Sequence, residues 1–398
     1  MTYVVKWMKS CVILMLLVTS WIFFWTIGFL HSRLIIQPYL PNAQDAIRSA
    51  TNVSHPKRAS NNTASIESLH KNNKSSNGSG VKNSNTEKNT WKEFPYPLDI
   101  DTVELVRTLR SGLPVVHRPI FPYPYQFNYH HPYACTQGSS LFIFLIKSAI
   151  KNYQSRMAVR ETWANTDLMR KYNFIRMFLL GTDKNEIYLS AVKSEYDLHK
   201  DMLLMSFHDD YHNLTLKTTG GIHWTAQHCN RSKFVVSVDD DMLVSTERLV
   251  HFLETKATPS KFFGGFVTGH KPLRDPRSKW YVSNQDYPHD VYPPMPSGGF
   301  IVMSMDYVVD LHFAAPYTKM IKLEDCFLGI MAYKLHVTPV FIRGIYVGQV
   351  NVNSNIFKTS MIAAHSYSPS LLKQTWIALQ KFTNKALYYT LLKGKENK

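Results

Sequence analysis

The stretch that decides the fold is Lys233–Val244, KFVVSVDDDMLV, an apolar run that ends in three consecutive aspartates. Its β-branched and aromatic residues predict a buried strand. Side chains two positions apart in an extended chain share a face, so Asp239 and Asp241 should point together while Asp240 points elsewhere. Carboxylates at the carboxyl end of a strand suit a magnesium or manganese ion that holds the phosphates of a nucleotide. An acidic turn or helix cap is the alternative, but the apolar run resumes directly at Met242.

Outward from this strand, strand-like and helix-like segments alternate along the chain. The alternation predicts an α/β domain with a mostly parallel sheet, and no internal repeat is evident. The predicted strands are Leu141–Ile146, Arg176–Leu180, Phe234–Val238, Phe262–Val267, Phe300–Ser304 and Val337–Val340. Helices are predicted between them, at Ser155–Trp163 and Leu216–Cys229 among others.

The first ninety residues differ in composition from the rest. Cys11–Leu30 is an uncharged run of twenty residues, long enough at about 1.5 Å per residue to cross the roughly 30 Å core of a bilayer. It is longer than the apolar region of a cleaved signal peptide, and no convincing cleavage site follows it. We therefore predict a cytoplasmic tail at 1–10 and an uncleaved transmembrane signal-anchor at 11–30. The Asn- and Ser-rich segment 31–90 should be a disordered stem, followed by a lumenal domain at 91–398.

Sequons and cysteines beyond the predicted anchor fit a lumenal location. Asn-X-Ser/Thr sequons occur at Asn52, Asn61, Asn73, Asn77, Asn213 and Asn230. An oxidising lumen favours one disulfide, and no cysteine spacing resembles a zinc site. We predict that Cys135 pairs with Cys229, because both lie at the edges of predicted elements, whereas Cys326 lies within an apolar run.

The formal net charge of +16 does not indicate a nucleic-acid-binding protein. No basic run is interleaved with aromatic residues, and a lumenal protein meets little nucleic acid. A basic surface that faces an anionic membrane, glycan or nucleotide is sufficient to account for the charge. We therefore predict no nucleic-acid partner.

Two motifs place basic side chains at candidate substrate-binding positions. Arg156 and Arg160 are four residues apart in a predicted helix and so share a face, where two guanidiniums suit a diphosphate. A solvated basic face is the alternative. The polar segment Asp209–Thr218 opens a helix and is interpreted as mainly structural, with Lys217 as a candidate substrate contact.

The segment Tyr287–Ser304, YPHDVYPPMPSGGFIVMS, combines prolines, aromatic rings and a glycine pair. Gly298 and Gly299 should let the backbone approach another group closely before the following strand. Trp280, Tyr287 and Tyr292 offer faces on which sugar rings stack. A rigid surface loop with packed tyrosines is the alternative for each residue taken singly.

Carboxylates and an imidazole near the C-terminus complete the set of candidate residues. Glu324 and Asp325 open an apolar helix, where acidic residues are also favoured as caps. A carboxylate beside a metal-bound nucleotide is suited to act as a general base, a role worth about 10²–10⁴ in rate. A lone histidine is usually a packed polar residue, but His365 is suited to complete the metal shell that the strand-end aspartates begin.

Taken in order, these motifs resemble the β-1,3-glycosyltransferase family, which includes β-1,3-galactosyltransferases and β-1,3-N-acetylglucosaminyltransferases. The resemblance runs from about Leu141 to Trp376 and rests on RMAVRETW, FLLGT, VDDDMLV, YPPMPSGGF, LEDCFLG and AAHS. It implies a GT-A-type nucleotide-diphospho-sugar transferase domain that uses a UDP-sugar and Mn²⁺ and inverts the anomeric carbon. It also implies a single-pass type II protein of the Golgi membrane, whose acceptor is a glycan on a glycolipid or glycoprotein.

The resemblance implies a role for each matching residue. Asp241 is the principal metal ligand, Asp239 lies beside the nucleotide and His365 is a further ligand. Asp325 corresponds to the catalytic base. Contacts with the nucleotide are assigned to Arg156, Arg160 and Asp240. Apart from the resemblance, we assign contacts with the substrate to Trp280, Tyr292, Gly298, Gly299 and Glu324.

Two positions depart from the family pattern. Cys326 stands where the family usually has Val after the Glu-Asp pair, and Met295-Pro296-Ser297 stands where many galactosyltransferases have Cys. The second departure weakens the choice of donor. We expect galactose, with UDP-N-acetylglucosamine or UDP-N-acetylgalactosamine as alternative donors. A lectin-like binding module without turnover and a nucleotide-sugar hydrolase are the alternative functions.

Overall fold

The computed structural model describes residues 100–136 and 138–396. The predicted tail, anchor and stem at 1–90 lie outside these residues, as do the sequons at Asn52, Asn61, Asn73 and Asn77. Among the described residues, no helix is both long enough and apolar enough to cross a bilayer.

The described strands form two sheets. In chain order they are β1 (Phe127–Tyr129), β2 (Phe142–Lys147), β3 (Phe174–Thr182), β4 (Met202–His208), β5 (Phe234–Asp239), β6 (Leu243–Val244), β7 (Phe263–Thr268), β8 (Met295–Ser304), β9 (Val340–Phe341), β10 (Ile345–Tyr346) and β11 (Ala363–Ala364). The larger sheet has the order β1-β4-β3-β2-β5-β8-β7-β9. Six of its eight strands run in one direction and β1 and β8 run opposite to them, so the α/β sheet is mixed, with a parallel majority.

Most predicted strands are present, with ends that differ by a few residues. β8 begins at Met295, so the glycine pair lies within the strand and not ahead of it. The strand predicted at Val337–Val340 is displaced to Val340–Phe341, because His336 is in the left-handed region that ends the preceding helix and Pro339 has no N–H to donate. β1 and β4 were not predicted. The Met and Leu residues of β4 also have a high propensity for helices, so the sequence did not indicate a strand there.

Both faces of the central strands are buried, which explains their continuous apolar sequences. In β2, Ile143 and Leu145 belong to one hydrophobic core. Phe144 and Ile146, which point to the opposite face, belong to a second core. The sheet therefore lies between two apolar layers.

Helices cover both faces of the sheet. They are α1 (Thr102–Arg110), α2 (Tyr153–Glu161), α3 (Thr166–Tyr172), α4 (Glu186–His199), α5 (Leu214–His228), α6 (Thr246–Thr255), α7 (Met305–Ala314), α8 (Glu324–Lys334), α9 (Asn355–Thr359) and α10 (Pro369–Glu396). The helices predicted at Ser155–Trp163 and Leu216–Cys229 correspond to α2 and α5. The helix predicted to open at the Glu-Asp pair is α8.

The predicted disulfide is present. It joins Cys135, which follows β1, to Cys229 at the end of α5, with the two Cα atoms 5.2 Å apart. Cys326 is a buried free thiol. Of the two described sequon asparagines, Asn230 is exposed and Asn213 is half-buried.

The smaller sheet, β10-β11-β6, brings a distant part of the chain to the strand-end aspartates. β11 pairs antiparallel with β6, so that Ala364 lies opposite Leu243. The N–H of Tyr367 donates to the carbonyl oxygen of Asp241 at 2.9 Å. Because His365 follows Ala364 directly, this pairing sets its imidazole beside the aspartates.

Candidate active site

Asp239, Asp241 and His365 meet just beyond the carboxyl end of β5. One ligand atom from each lies within 4.8 Å of the other two. Nε2 of His365 is 3.0 Å from Oδ1 of Asp241 and 3.5 Å from Oδ2 of Asp239. The structure therefore brings together the three residues that the sequence predicted as metal ligands.

The donor atoms of these three side chains fit a divalent metal ion. Oδ1 of Asp241 is buried and makes no well-aligned hydrogen bond, although Nε2 of His365 lies 3.0 Å away. A buried carboxylate oxygen that lacks a hydrogen bond is unfavourable unless a cation compensates it. Two carboxylates and one imidazole suit a magnesium- or manganese-like ion.

The protonation of this cluster depends on contacts among its members. The adjacent carboxylates of Asp239 and Asp241 raise the pKa of His365 to about 10. Burial acts to raise the pKa of Asp239, but the charge of Lys147 and the hydrogen bond from His365 outweigh it, so that this pKa falls to about 2. Because the imidazole must be deprotonated to bind a metal, metal affinity should increase with pH.

Lys147 was not predicted, yet it lies at the centre of the site. β2 and β5 are parallel neighbours, with Lys147 opposite Asp239. Its Nζ lies 2.9 Å from Oδ1 of Asp239 and 2.9 Å from Oε1 of Glu324, and it donates to the carbonyl oxygen of Gly298 at 2.7 Å. Burial acts to lower the pKa of Lys147, but the two carboxylates outweigh it and hold the pKa above its usual value. The signal in the sequence is a lysine that ends the otherwise apolar strand FIFLIK.

Glu324 and the glycine pair belong to the walls of this ion-pair cluster. Glu324 is buried, and burial raises its pKa while Lys147 opposes that rise. A Cβ added at Gly298 would lie 2.5 Å from Oε1 of Glu324, and one added at Gly299 would lie 3.4 Å from Cδ2 of His365. The glycines do allow a close approach of the backbone, as predicted. The groups close to both glycines are protein side chains, whereas the sequence analysis predicted contacts with the substrate.

Asp240 points away from the three candidate metal ligands. Its Oδ2 accepts hydrogen bonds from Oγ of Ser148 at 2.6 Å and from Nδ2 of Asn152 at 3.1 Å. Burial raises the pKa of Asp240 to about 6 against the effect of these two hydrogen bonds. Asp240 thereby fixes the turn between β2 and α2 beneath the site.

Arg156 and Arg160 share one face of α2, as predicted, but that face is buried. Arg156 and Arg160 both pair with Glu195, at 2.7 and 2.6 Å, and Arg160 also pairs with Asp201 at 2.7 Å. Their side chains are 1% and 5% exposed. This contradicts the predicted contact with a diphosphate, because neither guanidinium is open. Arg156 instead donates to Oγ of Ser148 at 3.2 Å and so supports the residue that holds Asp240.

Lys217 is also a structural residue and not an open substrate contact. Its Nζ donates to the carbonyl oxygen of Ser148 at 2.6 Å and pairs with Oδ1 of Asp209 at 2.7 Å. The other oxygen of Asp209 accepts from the N–H groups of Ile150 and Gly181. This buried network ties α5 to the ends of β2 and β3.

Asp325 lies in the first turn of α8 and lines a cavity of about 350 Å³. Its Oδ1 accepts the N–H of Cys326 at 2.8 Å. The walls of the cavity include Lys271, Trp280, Tyr292, Ser297 and Cys326. Ser297 also lines a second cavity, of about 80 Å³, beside His365. The candidate base and the candidate metal site are therefore joined through β8.

The two aromatic residues assigned as substrate contacts, Trp280 and Tyr292, differ in exposure. Trp280 is 47% exposed, and its Nε1 donates to the hydroxyl of Tyr211 at 3.0 Å. Tyr292 is only 4% exposed, with its ring centroid 4.5 Å from that of Tyr287. Trp280 is therefore open to a sugar ring, whereas Tyr292 is largely covered by packing.

The matching family model and the relatives of similar sequence indicate one family. Residues 154–343 match the family model of galactosyltransferases. Human β-1,3-galactosyltransferase 5 is 34% identical over 254 residues, which cover 62% of this chain and 80% of that protein. Mouse β-1,3-galactosyltransferase 1 is 30% identical over 261 residues, which cover 65% of this chain and 80% of that protein. Among solved structures, galactosyltransferase LgtC with donor and acceptor sugar analogs aligns at a TM-score of 0.33 and 9% identity, over 61% of this chain and 96% of that chain.

Proposed function

The chain belongs to the β-1,3-glycosyltransferase family and is a transferase enzyme, and on this premise we propose that it moves galactose from UDP-galactose to a hydroxyl of a glycan. The proposed product has a β-1,3 linkage, formed with inversion at the anomeric carbon. The names of the related galactosyltransferases support this choice of sugar. UDP-N-acetylglucosamine and UDP-N-acetylgalactosamine are the alternative donors.

The observation that carries the proposal is the pairing of two chemically distinct centres across β8. On one side, Asp239, Asp241 and His365 converge to within 4.8 Å. On the other, Asp325 faces a cavity of about 350 Å³, a size suited to a sugar. A transferase needs both centres, because one must hold the departing nucleotide while the other activates the acceptor.

The reaction assigned to the site is a direct displacement. Asp325 takes the proton from the acceptor hydroxyl, whose oxygen forms a bond to the anomeric carbon of the donor sugar. The bond from that carbon to the diphosphate oxygen breaks, and its electron pair leaves with UDP. Asp239, Asp241 and His365 would hold a divalent ion, which we propose to be Mn²⁺ and which would supply positive charge to the departing diphosphate.

The ion-pair cluster around Lys147 positions both centres. Lys147 contacts Asp239 on the metal side and Glu324 on the side of the base. Because Glu324 directly precedes Asp325 in α8, movement of this lysine would shift the base relative to the metal ligands. We assign Lys147 and Glu324 to positioning, without direct contact with the reacting atoms.

The proposed location is the Golgi membrane, with single-pass type II topology. The support is the uncharged run at 11–30 and the stem-like composition of 31–90. The disulfide between Cys135 and Cys229 also suits an oxidising lumen. The proposed acceptors are therefore glycans on glycolipids or glycoproteins that pass through this compartment.

The test is a donor and acceptor screen with the full-length chain. UDP release is measured with UDP-galactose, UDP-N-acetylglucosamine and UDP-N-acetylgalactosamine, with and without Mn²⁺, against a panel of oligosaccharides. We expect release that needs the metal, UDP-galactose and one class of acceptor, and a β-1,3 linkage in the product. Equal release without an acceptor would instead indicate a hydrolase. Binding of sugar without release from any donor would indicate a lectin-like module.

A further inference from the structure

The cavity beside Asp325 has lysines on its wall and next to it. Lys271 lines this cavity together with Asp325. Trp280 and Leu323 line the same cavity. Each directly follows a lysine in the sequence, Lys279 and Lys322 respectively. One lysine thus lines the cavity, and two more stand next to residues of its wall in the sequence.

These lysines are not used to hold the protein together through carboxylates. Among the residues that the structure describes, none of the three makes an ion pair. Nζ of Lys279 lies 4.6 Å from the ring centroid of Trp280 and 5.2 Å from that of Tyr211. Nζ of Lys322 lies 5.5 Å from the ring centroid of Tyr281. Such cation–π contacts leave the ammonium hydrogens free to bind an anion.

Two arginines of the same loop, unlike these lysines, are held by structural partners. Arg274 donates to the backbone carbonyl oxygens of Val282, Tyr287 and His289, at 2.7–2.9 Å. Arg277 pairs with Asp275 at 2.8 Å. The loop therefore contains cations with structural partners, and the lysines around the cavity are distinct from them.

The diphosphate of the donor does not account for these lysines. The candidate metal ligands lie on the other side of Ser297, where the second cavity is lined by His365 and Gly299 and, among the described residues, by no lysine. Lys147 is the cation nearest those ligands, and it is already paired with Asp239 and Glu324.

We propose that the acceptor is an anionic glycan, whose carboxylate or sulfate group lies on a sugar next to the one that presents its hydroxyl to Asp325. Lys271 holds this group, with Lys279 and Lys322 beside it, while the accepting sugar lies against Trp280. The inference rests on the proposed transferase function and specifies its acceptor class.

The test compares three disaccharides with the same accepting sugar. Their second sugar carries a carboxylate, the methyl ester of that carboxylate or a sulfate ester. With the full-length chain, we expect kcat/KM for the two anionic acceptors to exceed that for the methyl ester by about 5- to 10-fold, since three exposed ion pairs each contribute little. The preference should weaken at 0.5 M salt. Whichever of the carboxylate and sulfate acceptors has the higher kcat/KM carries the anion that the site prefers.

Substitution of the lysines assigns the preference to them. In Lys271→Gln/Lys279→Gln/Lys322→Gln, the ratio of anionic to neutral kcat/KM should fall to about one, and Lys271→Arg should retain most of it. Lys256→Gln, at an exposed lysine that ends α6, is the control and should keep the ratio. Equal rates for acid and ester in the wild-type chain would overturn the inference. So would an increase in donor KM with every acceptor, which would assign the lysines to the diphosphate.

A binding measurement separates this inference from the proposed function. The fluorescence of Trp280 is titrated with the acid and with the methyl ester in the presence of UDP, and Trp280→Phe identifies its contribution to the signal. Tighter binding of the acid supports the inference even if no donor is turned over, an outcome that would defeat the proposed function alone. Equal binding of the two disaccharides contradicts the inference whether or not transfer occurs.

Discussion

Replacement of Lys147 by Met is expected to destabilise the domain through the two carboxylates that it leaves behind. The Lys147 side chain is 2% exposed, and its partners Asp239 and Glu324 are 30% and 11% exposed. Removing one partner from a buried ion pair costs about 3–5 kcal/mol, because the remaining charge stays buried without compensation. Asp239 is partly exposed and retains His365, so Glu324 should dominate. We therefore expect a loss of about 3 kcal/mol, at the lower end of that range.

The free energy of unfolding is measured by chemical denaturation of the full-length chain at pH 7. Glu324→Gln added to Lys147→Met should recover much of the loss, since a buried amide needs hydrogen bonds but no counter-charge. Lys256→Met is the control, because its lysine is exposed, and it should stay within about 0.5 kcal/mol of wild type. A Lys147→Met protein as stable as wild type, or a double variant that loses the sum of both effects, would refute the reasoning.

The effect of Lys147→Met should also depend on pH. Without the lysine, burial and the charge of Asp325 both act to raise the pKa of Glu324 in the folded protein. The folded variant then binds a proton that the unfolded chain releases, so its stability falls as pH rises. The deficit relative to wild type should therefore shrink between pH 7 and pH 5. A deficit that grows over this interval would be inconsistent with a buried, uncompensated Glu324.

Three further substitutions test other parts of the structure. Cys135→Ser/Cys229→Ser should lower the free energy of unfolding by about 2–5 kcal/mol, and an unchanged denaturation midpoint would count against the disulfide. Gly298→Ala should lose about 1–3 kcal/mol and much of the activity, because its methyl group would overlap the Glu324 carboxylate, whereas Gly269→Ala has open space and should be tolerated. Asp241→Asn should weaken Mn²⁺ binding at least tenfold by isothermal titration calorimetry, and unchanged affinity would remove this residue from the metal site.

The candidate metal-ligand cluster was predictable because its pattern is local. A buried strand that ends in aspartates specifies both where Asp239 and Asp241 lie and which side chains share a face. His365 was a lone candidate in the sequence that the family resemblance supported, because the pairing of β11 with β6 that positions it is a tertiary contact. The disulfide was likewise inferred from the edges of predicted elements and is present.

The contacts of Arg156, Arg160 and Lys147 could not be predicted from the sequence alone. The spacing of Arg156 and Arg160 correctly predicted a shared face, but not that Glu195 and Asp201 lie against that face. In the sequence, Lys147 resembles an ordinary polar residue at the end of a strand. Its importance follows from the register of β2 against β5 and from the approach of α8, both of which are set by packing across the whole sheet.

The most direct test of the central claim is the transfer rate of Asp325→Asn, measured together with its affinity for UDP and Mn²⁺. If Asp325 removes the acceptor proton, the rate should fall by about 10²–10⁴ while both affinities stay within twofold. Asp167→Asn, at a carboxylate that is 95% exposed, should leave the rate unchanged. Transfer by Asp325→Asn at a rate within threefold of wild type would contradict the account, because the acceptor proton would then have to leave through another group.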